Sequence, residues 1–474
     1  MTGADNLKIF SDDPAREAFL NHPPGKLILR NSLPAVASML FMACYHIADA
    51  VMVGRSLGPE ALASVNILYP ILAFFIGLAV MIGVGGNARV AVLQGAGKTI
   101  MARRVLGLVV TLGTILGVTG SVIVIFAYPV ILDLLGTSGS LGVMAGEYLL
   151  TIYPFFTTMI LIFVLEQTVR NDGRPNFATG VMMGMAGLNI LLDYLFLFRL
   201  GMGIGGAALA TGLSQTLGAF IFIAYFVYKA LKQKAGLRFG IPGGGFITLK
   251  MVAFNGSSEF FTSVAAGVTT FLFNRTLLYY LGSDGVAAFA MVQYLMLIGS
   301  VVFLGLCTGS QPILSYNHGA GYHDRVKQTL VRLISISSLL GLVFFIILRT
   351  QSAAMIVLFI PEHPEAMKLT IEATAFISWT LLIMPISIIS SMFFTALEKA
   401  GSSLLVAMSR GLVFTVIGLN IFPKYWAETG IWITPIFSEI LTLLLVGILI
   451  YRWYTQPEIS SVRQVVEPLP SIES

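Results

Sequence analysis

The sequence predicts an all-α polytopic membrane protein with twelve transmembrane helices in two pseudo-symmetric six-helix bundles. Three observations carry that prediction. Of 474 residues, 56% are hydrophobic and only 11% charged, more apolar surface than a soluble chain of this length can use. The apolar residues fall in runs of about 20 or more, the length a helix needs to cross the hydrocarbon core. The first half of the chain also repeats in the second, at an offset of 224 residues. Soluble enzymes, nucleic-acid binders and disordered scaffolds are excluded by this composition.

The elements follow in order. Residues 1–26 are polar, with Asp12, Asp13, Arg16 and Glu17, and read as a cytoplasmic tail. They lack the apolar core and small-residue cleavage site of a secretory signal, so the first span is expected to stay uncleaved. Twelve spans then read as 30–54, 62–86, 104–128, 143–167, 176–199, 204–229, 252–281, 286–308, 328–350, 369–396, 403–423 and 430–452. Pro34, Pro70, Pro154, Pro385 and Pro435 fall inside them, where membrane helices tolerate kinks. The basic, Gly-rich stretch Tyr228–Gly245 reads as a linker. The expected organisation is therefore a first lobe over 27–229, a cytoplasmic linker over 230–248, a second lobe over 249–453 and a cytoplasmic tail over 454–474.

The repeat is thin but ungapped. Leu57-Gly58 matches Leu281-Gly282, Ala63 matches Ala287, Gly85 matches Gly309, and Gly95-Ala96-Gly97 matches Gly319-Ala320-Gly321; Asn31 falls on Asn255. Six spans per half insert both copies in the same orientation, which places the symmetry axis along the membrane normal. Loop charge sets the orientation. With the N-terminus inside, 22 basic residues, Arg170 and Arg410 among them, fall on cytoplasmic segments against 5 outside. Both termini are expected in the cytoplasm, with an even number of spans. Cys44 and Cys307 lie in apolar runs and read as small buried hydrophobes, with no disulfide or metal site.

Ionisable groups inside spans are costly and mark ion or substrate paths. Four acids stand out: Asp49, Asp193, Glu259 and Glu439. Asp49 and Asp193 both fall in the outer half of ascending spans. Asn189 precedes Asp193 by four residues and shares its helical face; Thr211, early in the descending sixth span, lies at a similar depth, and His46 can share the face of Asp49. Such a cluster suits a hard cation such as Na⁺, or a proton shared between two carboxylates; its other reading is a polar network that holds the bundle together. Glu259 and Glu439 read as substrate-attracting or structural polar groups, and His46 as a packing residue before a proton carrier. Gly201–Gly206 lacks the strand and the Lys-Ser/Thr of a phosphate loop. No catalytic dyad, metal cluster or cofactor motif is present, so the protein is read as no enzyme, with H⁺ or Na⁺ as coupling ion and no cofactor.

Asp49–Val65 (DAVMVGRSLGPEALASV), Arg170–Ala178 (RNDGRPNFA), Asn189–Phe196 (NILLDYLF) and Gln311–Gly321 (QPILSYNHGAG) resemble the multidrug and toxic compound extrusion (MATE) family, in its prokaryotic DinF/MepA-like branch. The likeness covers nearly all twelve spans. It implies coupling-ion roles for Asp49, Asn189, Asp193 and Thr211, joined by a fourth-span tyrosine, Tyr148 before Tyr153, and a hinge at Pro34. The NorM branch of the family carries carboxylates mid-span in the seventh and tenth spans. Here residues 376–394 hold none and Glu259 sits too early, so the resemblance assigns coupling to the first lobe. It implies an antiporter that exports amphipathic, cationic drugs by alternating access, surrounded by lipid, monomeric, with no obligate protein or nucleic-acid partner. The alternative is a lipid-linked oligosaccharide or peptidoglycan-precursor flippase, for which a strongly cationic cleft and extra spans are expected.

Overall fold

The computed structural model describes residues 14–232, 235–359 and 364–455. A short helix, α1 (Pro14–Asn21), precedes the spans. The first bundle comprises α2 (Pro24–Leu57), α3 (Pro59–Gly95), α4 (Thr99–Leu134), α5 (Gly139–Asn171), α6 (Pro175–Arg199) and α7 (Gly203–Leu231). The second begins with one long helical stretch, Gly245–Gly319, broken at Gly282 where φ is 66°; its halves are α8 (245–281) and α9 (283–319). Next come α10 (His323–Phe359) and α11 (Pro364–Ala396), the latter bent by 43° near Ile383. The final stretch breaks at Trp426 and Ala427, which divides it into α12 (400–425) and α13 (428–454). Twelve crossings result. Most of these helices run past the expected spans at one or both ends.

The bundles meet through α2 and α3 of the first and α8 and α9 of the second. Their bonds join one end of the molecule, the end that carries the linker, called here the linker face. Ser32 and Ser310 share a hydroxyl hydrogen bond at 2.9 Å, Gln311 donates to the Val84 carbonyl, Tyr316 donates to the Asn171 carbonyl, and Arg89 pairs with Glu398 at 2.8 Å. The repeat explains the seam. A Cβ on Gly95 would stand 2.1 Å from the Tyr316 carbonyl oxygen, and a Cβ on Gly319 would stand 2.0 Å from the Val92 oxygen. Both members of each contact are related by the 224-residue offset, so one helix crossing is made twice. Backbones this close admit only glycine, the small-residue packing typical of membrane helices. The Gln311–Gly321 block thus forms the seam between bundles.

Residues 14–26 fall within the segment expected as a tail, yet part of it is built into the fold. Ala15, Phe19 and Leu20 are buried, an i, i+4, i+5 stripe on α1. The Phe19 ring lies 4.7 Å from Tyr316, Arg16 donates to the Gly95 carbonyl, and Asn317 donates to the Phe19 carbonyl. The other tail residues, 1–13 and 456–474, lie outside the described residues.

Candidate functional site

Three helices of the first bundle each offer two polar side chains one turn apart: Tyr45 and Asp49 on α2, Asn189 and Asp193 on α6, Thr211 and Gln215 on α7. The i, i+4 spacing stacks each pair on one face. Asn189 and Asp193 are 1% and 0% exposed. The side chains converge: the Asp49 and Asp193 carboxyl groups neighbour one another, Tyr45 neighbours Gln215, and Asn189 Nδ2 donates to Thr211 Oγ1 at 3.4 Å. Tyr148, buried on α5, is close enough to interact with both acids. Immediately after Asp193 the helix widens into a π turn, Tyr194–Arg199, a distortion found mostly at functional sites.

The cluster is short of donors. Asp49 Oδ1, Asn189 Oδ1, both carboxylate oxygens of Asp193 and Gln215 Oε1 are buried without a hydrogen-bond partner. None of the four ion pairs among the described residues includes Asp49 or Asp193. Two buried like charges repel in a poorly hydrated site and each unmade bond costs about 1–3 kcal/mol. A small cation between the acids, or a proton on one of them, relieves both penalties.

The remaining residues singled out in the sequence divide. Tyr153 lies in a 3₁₀ turn, half-buried, and its carbonyl accepts the Ser121 hydroxyl. His46 is exposed, with its ring 4.1 Å from that of Tyr45. Pro34 sits within continuous α2, where its carbonyl accepts hydroxyls from Ser38 and from Thr179 of α6. Glu259 and Glu439 are far from Asp49 in the chain and line a different space, a cavity of about 680 Å³ between the bundles. Met39, Met42, Phe163, Glu166 and Gln167 form its first-bundle wall; Gln293, Cys307, Met384 and Arg410 lie opposite.

Three placements correct the sequence reading. Arg410, counted above with the cytoplasmic loops, lies inside α12 and faces the cavity, where its Nε donates to Glu439 Oε1 at 2.6 Å. Cys44 is exposed, and only Cys307 is buried. Arg170, also counted with the loops, is 1% exposed and bonds Glu166 one turn away. In neither arginine does the local sequence carry a signal, because a charge at a helix end and a charge turned inward read alike. Tyr45 and Gln215 went unnoticed for the same kind of reason: uncharged polar residues are common in membrane helices.

Twelve spans in two repeated bundles, with a polar cluster in one and a cavity between them, define a membrane carrier. The chain belongs to the MatE family, whose model matches residues 34–195 and again 260–426; the two matches start close to the repeat offset. Multidrug export protein MepA of Staphylococcus aureus strain MRSA252 is 24% identical over 439 residues, covering 91% of this chain and 95% of the relative. MepA of Staphylococcus saprophyticus is 28% identical over 292 residues, 62% of this chain and 64% of the relative. Among solved structures, a MOP superfamily transporter from Pyrococcus furiosus superposes with a TM-score of 0.87 at 25% identity, covering 96% of this chain and 99% of that one. An outward-facing multidrug resistance MATE family transporter superposes at 0.85 and 25% identity, covering 96% and 100%. The protein is accordingly a multi-pass membrane transporter and not an enzyme.

Proposed function

We propose that the protein exports amphipathic, cation-bearing compounds from the cytoplasm in exchange for H⁺ or Na⁺. The observation that carries this reading is the pair of half-buried Asp49 and buried Asp193, which enters no ion pair among the described residues and does not line the cavity between the bundles. The MepA relatives are multidrug export proteins by name. The excess of basic residues on the loops of the linker face supports a cytoplasmic position for that face, in a bacterial inner membrane. The protein acts as a monomer.

In this reading the described state is closed toward the cytoplasm by the seam of α2, α3, α8 and α9, and its cavity drains outward. An ion entering from outside binds among Asp49, Asn189, Asp193, Thr211 and Gln215, with Tyr148 closing the cluster. Pro34 serves as the hinge: Thr179 ties it to α6, the helix that also carries Asn189 and Asp193, so ion binding and the bend of α2 share one helix pair. The bound ion favours a state with lower substrate affinity, the substrate leaves outward, and the protein rocks inward to release the ion. Differential affinity between the two states is what drives the cycle. The membrane potential supplies about 2.3 kcal/mol per charge per 100 mV.

The test is dye accumulation in proteoliposomes under an imposed pH gradient, then under a sodium gradient. One gradient drives uptake by the wild type and neither drives it in Asp49→Asn. Undiminished uptake by that variant contradicts the role given to the pair. A flippase reading gains instead if neither gradient moves any dye while a fluorescent pyrophosphate-linked lipid crosses the bilayer; Glu259 on the cavity wall, in none of the ion pairs among the described residues, favours a cation-bearing compound over such a lipid.

A further inference from the structure

The charged groups of the second bundle have no part in the coupling scheme, and their construction is specific. Residues 409–413 of α12 form a π turn, Ser409–Val413. The carbonyls that this turn displaces are taken up by hydroxyls from its neighbours. Ser438 donates to the Arg410 carbonyl at 2.9 Å, Thr415 donates to it at 3.2 Å, and Thr269 of α8 donates to the Gly411 carbonyl at 2.5 Å. Three hydroxyls thus hold open a turn whose effect is to aim one arginine into a membrane cavity. A charge at that depth is expensive.

Arg410 is bound in a particular way. Its Nε donates to Glu439, and its side chain keeps 27% exposure against 7% for Glu439. The ion pair therefore occupies the inner edge of the guanidinium and leaves its two terminal nitrogens toward the cavity, the fork that matches a carboxylate. Glu439 Oε2 is buried without a partner, so the acid anchors Arg410 with one oxygen only. Glu259 of α8 lines the same cavity, together with the buried Cys307. Across the cavity, Glu166 is already committed to Arg170. The cavity thus presents, among methionines and aromatic rings, one cation with a free guanidinium edge and one carboxylate in no ion pair among the described residues.

We infer that the second bundle holds a dipolar substrate site, in which the Arg410 fork binds a carboxylate of the substrate and Glu259 binds its ammonium or iminium group. Amphipathic zwitterions are then the class it takes best, ahead of the corresponding monocations. The inference rests on the export reading above, and deepens it.

The experiment uses a carboxy-rhodamine, zwitterionic at neutral pH, and its ethyl ester, a monocation of the same shape. Binding of each to the purified full chain is read by fluorescence anisotropy with no ion gradient, so it does not depend on coupling. The wild type binds the acid about tenfold tighter than the ester, the size of one charge-assisted fork. Arg410→Gln abolishes that preference by weakening the acid alone, Arg410→Lys retains part of it, and Glu259→Gln weakens both dyes alike. Because Arg410→Gln strands the buried Glu439 charge, the double variant Arg410→Gln/Glu439→Gln, which removes both charges together, is measured beside it and gives the same loss. Equal affinities in the wild type, or equal loss of both dyes in either arginine variant, overturns the inference. Failure of gradient-driven transport with the preference intact removes the coupling scheme and leaves the site.

Discussion

Gln215 and Glu439 stand 224 residues apart at equivalent places on the last helices of the two bundles. One faces two buried acids with no cation; the other is bonded to Arg410. Each neighbourhood has its own π turn, Tyr194–Arg199 after Asp193 and Ser409–Val413 around Arg410. The backbone contacts at the seam, by contrast, are nearly interchangeable, with Gly95 on Tyr316 and Gly319 on Val92. The bundles therefore share packing and differ in charge. Shared packing gives a machine two halves that rock about one seam, while different charge lets one half sense the ion and the other the substrate.

The largest effect expected is from the acids. Asp193→Asn abolishes gradient-driven accumulation, at least tenfold, with normal expression and an unchanged melting curve; in the second bundle Glu439→Gln leaves accumulation of a monocationic dye coupled to the gradient. Equal losses from both variants break the proposed division. The seam predicts the opposite pattern. Gly95→Ala and Gly319→Ala each place a Cβ about 2 Å from a carbonyl oxygen, and each lowers transport to a similar degree, with faster cysteine labelling at the linker face. Unequal effects sharpen the account by locating the side on which closure is tighter.

Smaller changes follow. Pro34→Ala lowers turnover several-fold while dye binding holds, since the cluster keeps its side chains and only the bend of α2 is altered. Arg89→Ala has the least effect, about 1 kcal/mol or less for a partly exposed pair, read as a modest rise in linker-face labelling. Its partner Glu398 lies between spans, and burial holds that carboxyl above its ordinary range, with Arg89 opposing. An acid raised in the closed state favours that state at lower pH, and the contribution fades as pH rises through the raised value. Labelling of a cysteine introduced at the linker face of the otherwise wild-type protein is therefore slower at mildly acidic pH than at neutral pH.

Much of this was legible in the sequence because the physics is one-dimensional there. Run length gave the spans, and the breaks at Gly282 and at Trp426–Ala427 fall between the expected spans. Asp49, Asn189, Asp193 and Thr211 stood out because a polar group in an apolar run is conspicuous and i, i+4 spacing fixes its face. Tyr45 and Gln215 needed the tertiary fold, since their partners lie on other helices. Arg410 needed more: a π turn re-aims the side chains within it, so an arginine that loop counting assigns to the surface faces inward. The helix α1 was hidden in a polar stretch too short for periodicity to register, and its Phe19 finds a site only where Tyr316 supplies one.

The direct measurement is ion exchange by the purified protein itself. Addition of a cationic dye to the wild type in weakly buffered solution, or in the presence of labelled sodium, releases the ion held by the acid pair. The account predicts that Asp193→Asn releases none, while Arg410→Gln/Glu439→Gln releases as much as the wild type. Release from Asp193→Asn, or its loss from the second-bundle variant, contradicts the assignment of ion and substrate to different bundles.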